Sequence, residues 1–367
     1  VCEVFRRLPD ALERAAELDA EYGRNPDLEK MPMYGVVFSF KDPFDTKDMR
    51  STGGGDADYD IDFPARDHVL VEQLRNKGAI IFAKAVNTEY NGRAGDPGGR
   101  HKPKKVLPSI LGYQRSTWAG NPSNPYDTTR AASLGSSSGS ALSVSTNLVM
   151  ASLGEETRAS TRGPSNHNAV ALILPHKSML GFDGGAIGAD IYCDRSGIHC
   201  RTIGDCAKVL DALKDPVEGY YDPRDPFTTV PRSSVLNTPY ARHTAEPGTL
   251  NGMRLGIIRE SMIYPPGSKT EEPIVTAAAK EIKDILGDKL GATLVESTDP
   301  LWIPDPDIET MKTDFRRALA RLVPVFMPEL LFRLGADGEP VFKEFAAAIV
   351  STEFVPGKFF GEGAMAP

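Results

Sequence analysis

An α/β fold built on a central sheet is the class this sequence predicts, and three observations carry the prediction. Short apolar segments alternate with segments of helical period over most of the 367 residues. One stretch, 67–83, reads as a complete helix-to-strand unit joined at Gly78. The composition, 40% hydrophobic and 25% charged, is that of a globular chain, and no apolar run approaches the roughly 18 residues of a membrane span. A chain of this length can bury a sizeable core.

The elements follow in order. Residues 3–20 read as a helix because Leu12, Ala15, Ala16 and Leu18 recur near helical spacing. Gly35-Val36-Val37-Phe38-Ser39-Phe40 reads as a strand with Lys41 at its end, where α/β proteins commonly place their chemistry. A helix over 67–77, with Asp67 as its N-cap, leads through Gly78 to a buried strand at 79–83. The small residues of 141–150 continue a helical pattern, and 170–174 reads as a further strand. A helix over 203–214 opens with Thr202 and Asp205 in a capping-box pattern, and Ile203, Cys206, Ala207, Leu210 and Leu213 share one face. Later come a strand at 253–258, an amphipathic helix at 272–286 and a strand at 292–295.

Two stretches break this alternation. Residues 92–116 form a long basic loop rich in glycine and proline, read either as a solvated insertion or as a lid that attracts an anionic substrate. Residues 215–250 hold six prolines and little periodicity, the pattern of a surface excursion.

Charge and cysteine content exclude several function classes. With 42 basic and 50 acidic residues the net charge is −8, so nucleic acid is not expected as the main partner. Cysteines 2, 193, 200 and 206 are too few for a disulfide framework, and their spacing matches no zinc pattern, so buried thiols and no metal are expected. The chain opens at Val1 without a signal-peptide pattern, which leaves the compartment open with the cytoplasm favoured.

The chemistry concentrates in two serine clusters. Gly135-Ser136-Ser137-Ser138-Gly139-Ser140-Ala141 precedes Ser160, which lies in Gly154-Glu155-Glu156-Thr157-Arg158-Ala159-Ser160-Thr161-Arg162-Gly163-Pro164. A serine nucleophile needs a base for its proton and backbone N–H groups aimed at the oxyanion. The six histidines sit in no triad signature. Lysine can replace histidine when burial lowers its proton affinity, and Lys41, after a mostly apolar run, has that context. A Ser/Gly run is often a linker, but this one continues into a small-residue helical pattern.

On these motifs the chain resembles the amidase signature family of Ser-Ser-Lys hydrolases. The glycine- and serine-rich run at 135–141, the loop at 154–164 and the Lys41-Asp42 segment carry the resemblance, supported by Asn121-Pro122-Ser123-Asn124-Pro125, Asp194-Arg195-Ser196-Gly197 and Asp222-Pro223-Arg224-Asp225-Pro226. The resemblance implies a three-layer α/β/α fold around a twisted mixed sheet, as one amidase domain over 1–367, incomplete at both ends. It implies Ser160 as nucleophile, Ser136 as the bridging serine and Lys41 as base. The backbone N–H groups of Thr157, Arg158, Ala159 and Ser160 would form the oxyanion hole, and Arg158 and Ser137 would border the substrate pocket. No cofactor is implied. The expected partner is a small-molecule amide, with ester cleavage as a side activity and homo-oligomerisation open.

The sequence also departs from the family pattern. Leu134 and Ser138 stand where glycine is usual, and Arg158 and Ala159 replace a glycine pair before the nucleophile. Arg158 is read as a specificity element for an acidic or carbonyl-bearing substrate. Three alternatives stay open: an ammonia-generating amidotransferase A-type subunit, an α/β-hydrolase-like esterase using Ser137 in the G-x-S-x-G pattern of 135–139, and a non-catalytic family member.

Overall fold

In a computed structural model, the structure describes residues 2–3, 11–54, 63–88, 91, 116, 122–132, 135–157, 159–181, 184–185, 194–214, 232–245, 248–258 and 273–297. The chain divides into two compact units, Val1–Thr244 with Thr313–Pro367, and Ala245–Lys312.

The first unit is built on a six-stranded mixed sheet. Its strands are β1 (Cys2–Glu3), β2 (Val37–Lys41), β3 (Ile80–Ala85), β4 (Ala151–Glu156), β5 (Ala171–Ile173) and β6 (Arg195–Cys200). They lie in the order β1-β3-β2-β4-β6-β5, with β2 parallel to both β3 and β4 and the pairs β1/β3, β4/β6 and β5/β6 antiparallel. Helices α1 (Ala11–Tyr22), α2 (Val69–Asn76), α3 (Ser138–Ser145), α4 (Arg162–His167), α5 (Ile203–Leu213) and α6 (Arg242–Ala245) accompany it. The expected central mixed sheet with helices is therefore the observed architecture.

Alternation along β2 splits its two faces chemically. Phe38 and Phe40 join Leu70, Leu74, Leu153 and Ile198 in the main apolar core. Ser39, of the opposite parity, bonds the hydroxyls of Ser143 in α3 and Ser152 in β4, each at 2.8 Å. Helix α3 is buried from Ser138 to Val144. Its serines, glycine and alanine permit this, because side chains so small let the helix backbone come close to the sheet. At Gly139 an added Cβ would lie 2.4 Å from the Val86 backbone nitrogen.

Local readings meet the structure unevenly. In α5 Thr202 accepts from the Asp205 N–H as a capping box requires, and Cys206, Ala207, Leu210 and Leu213 are buried. Ile203, expected on the same face, is instead 49% exposed, because it occupies the first turn. The cap of α2 is His68, whose Nδ1 accepts from the Leu70 N–H, rather than Asp67. Asp67 turns its carboxylate to the Lys47 N–H and the Arg75 guanidinium. The helical pattern of 141–150 stops at Ser145, and Met150 already bonds the Val37 carbonyl at the entry to β4. Within the expected helix 3–20, α1 starts at Ala11 and Cys2–Glu3 is a strand.

The second unit holds β7 (Arg254–Ile258) and β8 (Thr293–Ser297) as a parallel pair. Helix α7 (Pro273–Ile282), which continues as π-helical turns over Lys283–Lys289, connects them. This is a βαβ crossover, as the expected strand, helix and strand of 253–295 require.

Candidate active site

The carboxyl ends of parallel β2 and β4 bring the candidate residues together. Lys41 ends β2, and fully buried there, its Nζ donates to Ser136 Oγ at 2.8 Å and to Glu155 Oε2 at 2.5 Å. Glu155, near the end of β4, is 1% exposed and also accepts from Asn91 Nδ2 at 2.8 Å. Burial lowers the proton affinity of Lys41 below the ordinary lysine value, and the opposing pull of the Glu155 carboxylate only partly restores it. An amine placed this way gives up its proton more readily than a solvated one.

Ser136 sits just before α3, and its carbonyl accepts from the Thr88 N–H at 3.3 Å. The next residue joins the run to the other cluster: the Ser137 N–H donates to the Ser160 carbonyl at 3.0 Å. Ser137 itself is fully buried, with Oγ donating to the Glu155 carbonyl and accepting from the Glu155 N–H. Its hydroxyl is thus engaged with the β4 backbone. Among the described residues no strand precedes the run either: 122–132 is turns with one bridge, Ser123 to Ala131, where a nucleophile elbow needs a buried strand.

Glu156 fixes the loop that carries Ser160. Its buried carboxylate accepts from Thr161 N–H and Oγ1 and from Arg162 N–H and Nε, holding the first turn of α4 in place of a side-chain cap. Burial works against this charge, but the hydrogen bonds of Thr161 and Arg162 outweigh it and keep the carboxyl below its ordinary value. Thr157, at the foot of the loop, bonds the Asp194 carboxylate. The N–H groups of Ala159 and Ser160 donate to no group among the described residues, whereas those of Thr161 and Arg162 are taken by Glu156. Arg158 lies outside the described residues, as do Leu134, Cys193 and nearly all of 92–116.

Gly135 permits the close meeting of the two clusters. A Cβ there would lie 2.5 Å from Pro164 Cδ and 2.9 Å from the Ala159 carbonyl. Behind the site, His199 is buried, bonds Ser165 Oγ through Nδ1 at 2.9 Å, and is held neutral, its value pushed down to about 3 by burial. Cys200 and Cys206 are buried free thiols. No group of three or more His, Cys, Asp or Glu side chains among the described residues is placed to hold a metal ion.

Reasoning from sequence named Lys41, Ser136 and Ser160 but passed over Glu155, Asn91 and Glu156. A signal for the carboxylates was present: two glutamates side by side in a segment otherwise made of small residues. Asn91 gave none, because it lies in no motif of the sequence.

Comparison with known proteins identifies the family. The model of the Amidase family matches residues 2–301. A protein of Arabidopsis thaliana described as a probable amidase is 33% identical over 255 residues, 70% of this chain and 46% of that protein. The A-type subunit of the glutamyl-tRNA(Gln) amidotransferase of Cupriavidus necator is 28% identical over 300 residues, 79% of this chain and 53% of that one. The chain thus spans about half the length of these curated relatives. Among solved structures, the native peptide amidase of Stenotrophomonas maltophilia superposes with a TM-score of 0.65 at 28% identity, covering 88% of this chain and 57% of that one. With a family model matched over most of its length and the same mixed sheet with helices, the chain belongs to the amidase family, the amidase signature proteins.

Proposed function

We propose that this protein is a serine amidohydrolase that cleaves a carboxamide bond through Lys41, Ser136 and Ser160. The observation that carries the reading is the 2.8 Å hydrogen bond from a fully buried lysine to Ser136, in a run whose next residue is clipped to Ser160.

The proposed chemistry is a proton relay. Lys41 in its neutral form takes a proton from Ser136, which takes one from Ser160, and the Ser160 oxygen attacks the amide carbonyl. The oxyanion is assigned to backbone N–H groups of the 157–160 loop, where those of Ala159 and Ser160 donate to no group among the described residues. Collapse of the tetrahedral species expels the amine, protonated through Ser136. Water then clears the acyl-enzyme by the reverse relay.

A panel of primary amides, anilides, peptide amides and esters tests this, assayed on wild type, Ser160→Ala and Lys41→Ala. Hydrolysis by wild type with losses on the order of 10³-fold or more in both variants supports the reading. Retained hydrolysis in Ser160→Ala overturns it. The similarity to an A-type amidotransferase chain favours a second reading, ammonia release from glutamine in a complex with partner chains. Glutaminase activity that appears only on adding such partners would establish that one instead.

A further inference from the structure

Lys41 must lose a proton before it can act as a base, and the structure holds a group for that proton. Glu155 Oε2 is 2.5 Å from Lys41 Nζ, both side chains are buried, and Asn91 Nδ2 fixes the same oxygen from the other side at 2.8 Å. We propose that Glu155 is a positioning residue that stores the proton of Lys41, so that the relay has four members rather than three. The inference rests on the assignment of Lys41, Ser136 and Ser160 made above.

The step balances within the site. In the resting pair Lys41 is an ammonium and Glu155 a carboxylate. One N–H bond of Lys41 breaks as an O–H bond forms on Glu155 Oε2. The freed Nζ lone pair then takes the Ser136 proton, Ser136 Oγ takes the Ser160 proton, and the Ser160 oxygen bonds the carbonyl carbon. At the tetrahedral stage Glu155 is neutral, Lys41 is again cationic and the oxyanion carries the charge. Collapse returns each proton by one place.

Three features favour transfer to Glu155 over loss of the proton to solvent. No water-facing surface reaches Lys41, which is fully buried. Burial disfavours the ammonium, so the neutral pair lies closer in energy to the ion pair than it would in water. Neutralising Glu155 also leaves one negative charge fewer in the site as the oxyanion forms. The other ionisable groups acting on the pair are Glu156, occupied by Thr161 and Arg162, Asp194, bonded by Thr157, and neutral His199.

The experiment measures the rate at which a fluorophosphonate labels the full chain across the pH range, in wild type, Glu155→Gln, Glu155→Asp, Ser160→Ala and Lys41→Ala. Wild type is expected to show a flat profile around neutrality. Glu155→Gln is expected to lose that flat profile: with no carboxylate to hold the Lys41 proton inside the site, the proton exchanges with solvent and labelling falls toward acid pH. Glu155→Asp is expected to restore the flat profile and most of the rate. If Glu155→Gln labels as fast as wild type or faster, with the same profile, while Ser160→Ala and Lys41→Ala do not label, this inference alone is overturned. Labelling that persists in Ser160→Ala overturns the triad assignment and this inference with it. A wild-type measurement covers failure of the glutamine variant to fold: the infrared difference spectrum on binding phenylboronic acid is expected to gain a carboxylic-acid C=O band, and its absence overturns the proposal.

Discussion

The backbone N–H of Ser137 donates to the carbonyl of Ser160 at 3.0 Å, so the serine run and the loop after β4 are joined main chain to main chain. Truncating either side chain leaves this clip in place. The closeness it demands depends instead on the missing side chain of Gly135, two residues upstream.

Gly135→Ala is therefore expected to harm activity more than stability. Its methyl would press on a proline ring at 2.5 Å and a carbonyl at 2.9 Å, and the loop must yield. Overpacking of this kind costs about 1–3 kcal/mol. Denaturant unfolding should show a loss in that range, and serine-probe labelling should fall by a larger factor than the stability change explains.

Ser137→Ala separates structure from chemistry in the opposite sense. Its hydroxyl holds the Glu155 N–H and carbonyl, and its removal should destabilise the protein by about 1–3 kcal/mol. Mass spectrometry after probe treatment should still find the label on Ser160. Loss of labelling with an intact fold would instead favour Ser137 as the nucleophile.

The Glu156 carboxylate predicts an acid-sensitive loop. Its value in the fold is held below the ordinary 4.5, so its contribution is complete above that pH and fades as pH falls through the lower folded value. Wild type is expected to exceed Glu156→Gln by about 2 kcal/mol at pH 7 in urea unfolding. The gap should shrink below pH 4.5; a gap constant down to pH 3 would contradict the assignment.

His199 acts over a higher range of pH. Its value is lowered from 6.5 to about 3 because burial disfavours the imidazolium, so the unfolded chain binds a proton that the fold refuses. The stability this contributes is complete above pH 6.5 and is lost as pH falls toward 3, about 5 kcal/mol in all. In His199→Gln the slope of unfolding free energy against pH between 6.5 and 4 should drop by about one proton. An unchanged slope would show that other groups set the acid limit.

Where the signals were local, the sequence was readable. Thr202 and Asp205 announce the start of α5 because a capping box is made within one turn, and the parallel β2/β3 unit follows from its apolar runs and Gly78. Strand β4 was hidden because Ala-Ser-Leu-Gly-Glu-Glu carries too little apolar character to read as the centre of a sheet. It is central because Ser152 meets Ser39, Gly154 leaves room for His199, and Glu155 meets Lys41, and all three partners come from other strands. The His68 cap was masked by Asp67 beside it, a better cap by propensity that is drawn away by Arg75. Lys41, Ser136 and Ser160 were named as candidates through motif resemblance, and the structure adds the Lys41–Ser136 bond. Glu155 was not, because a carboxylate 114 positions from its lysine has meaning only once the strands are paired.

Helix α3 lacks a solvent face from Ser138 to Val144, and its small side chains set how near it sits to the sheet. An ordinary surface helix tolerates substitution along one side, and its mutational record shows that side every three or four residues. In α3 a saturation scan should show no such rhythm. This segment then tolerates little sequence change, and variation is expected to fall in loops that do not touch it.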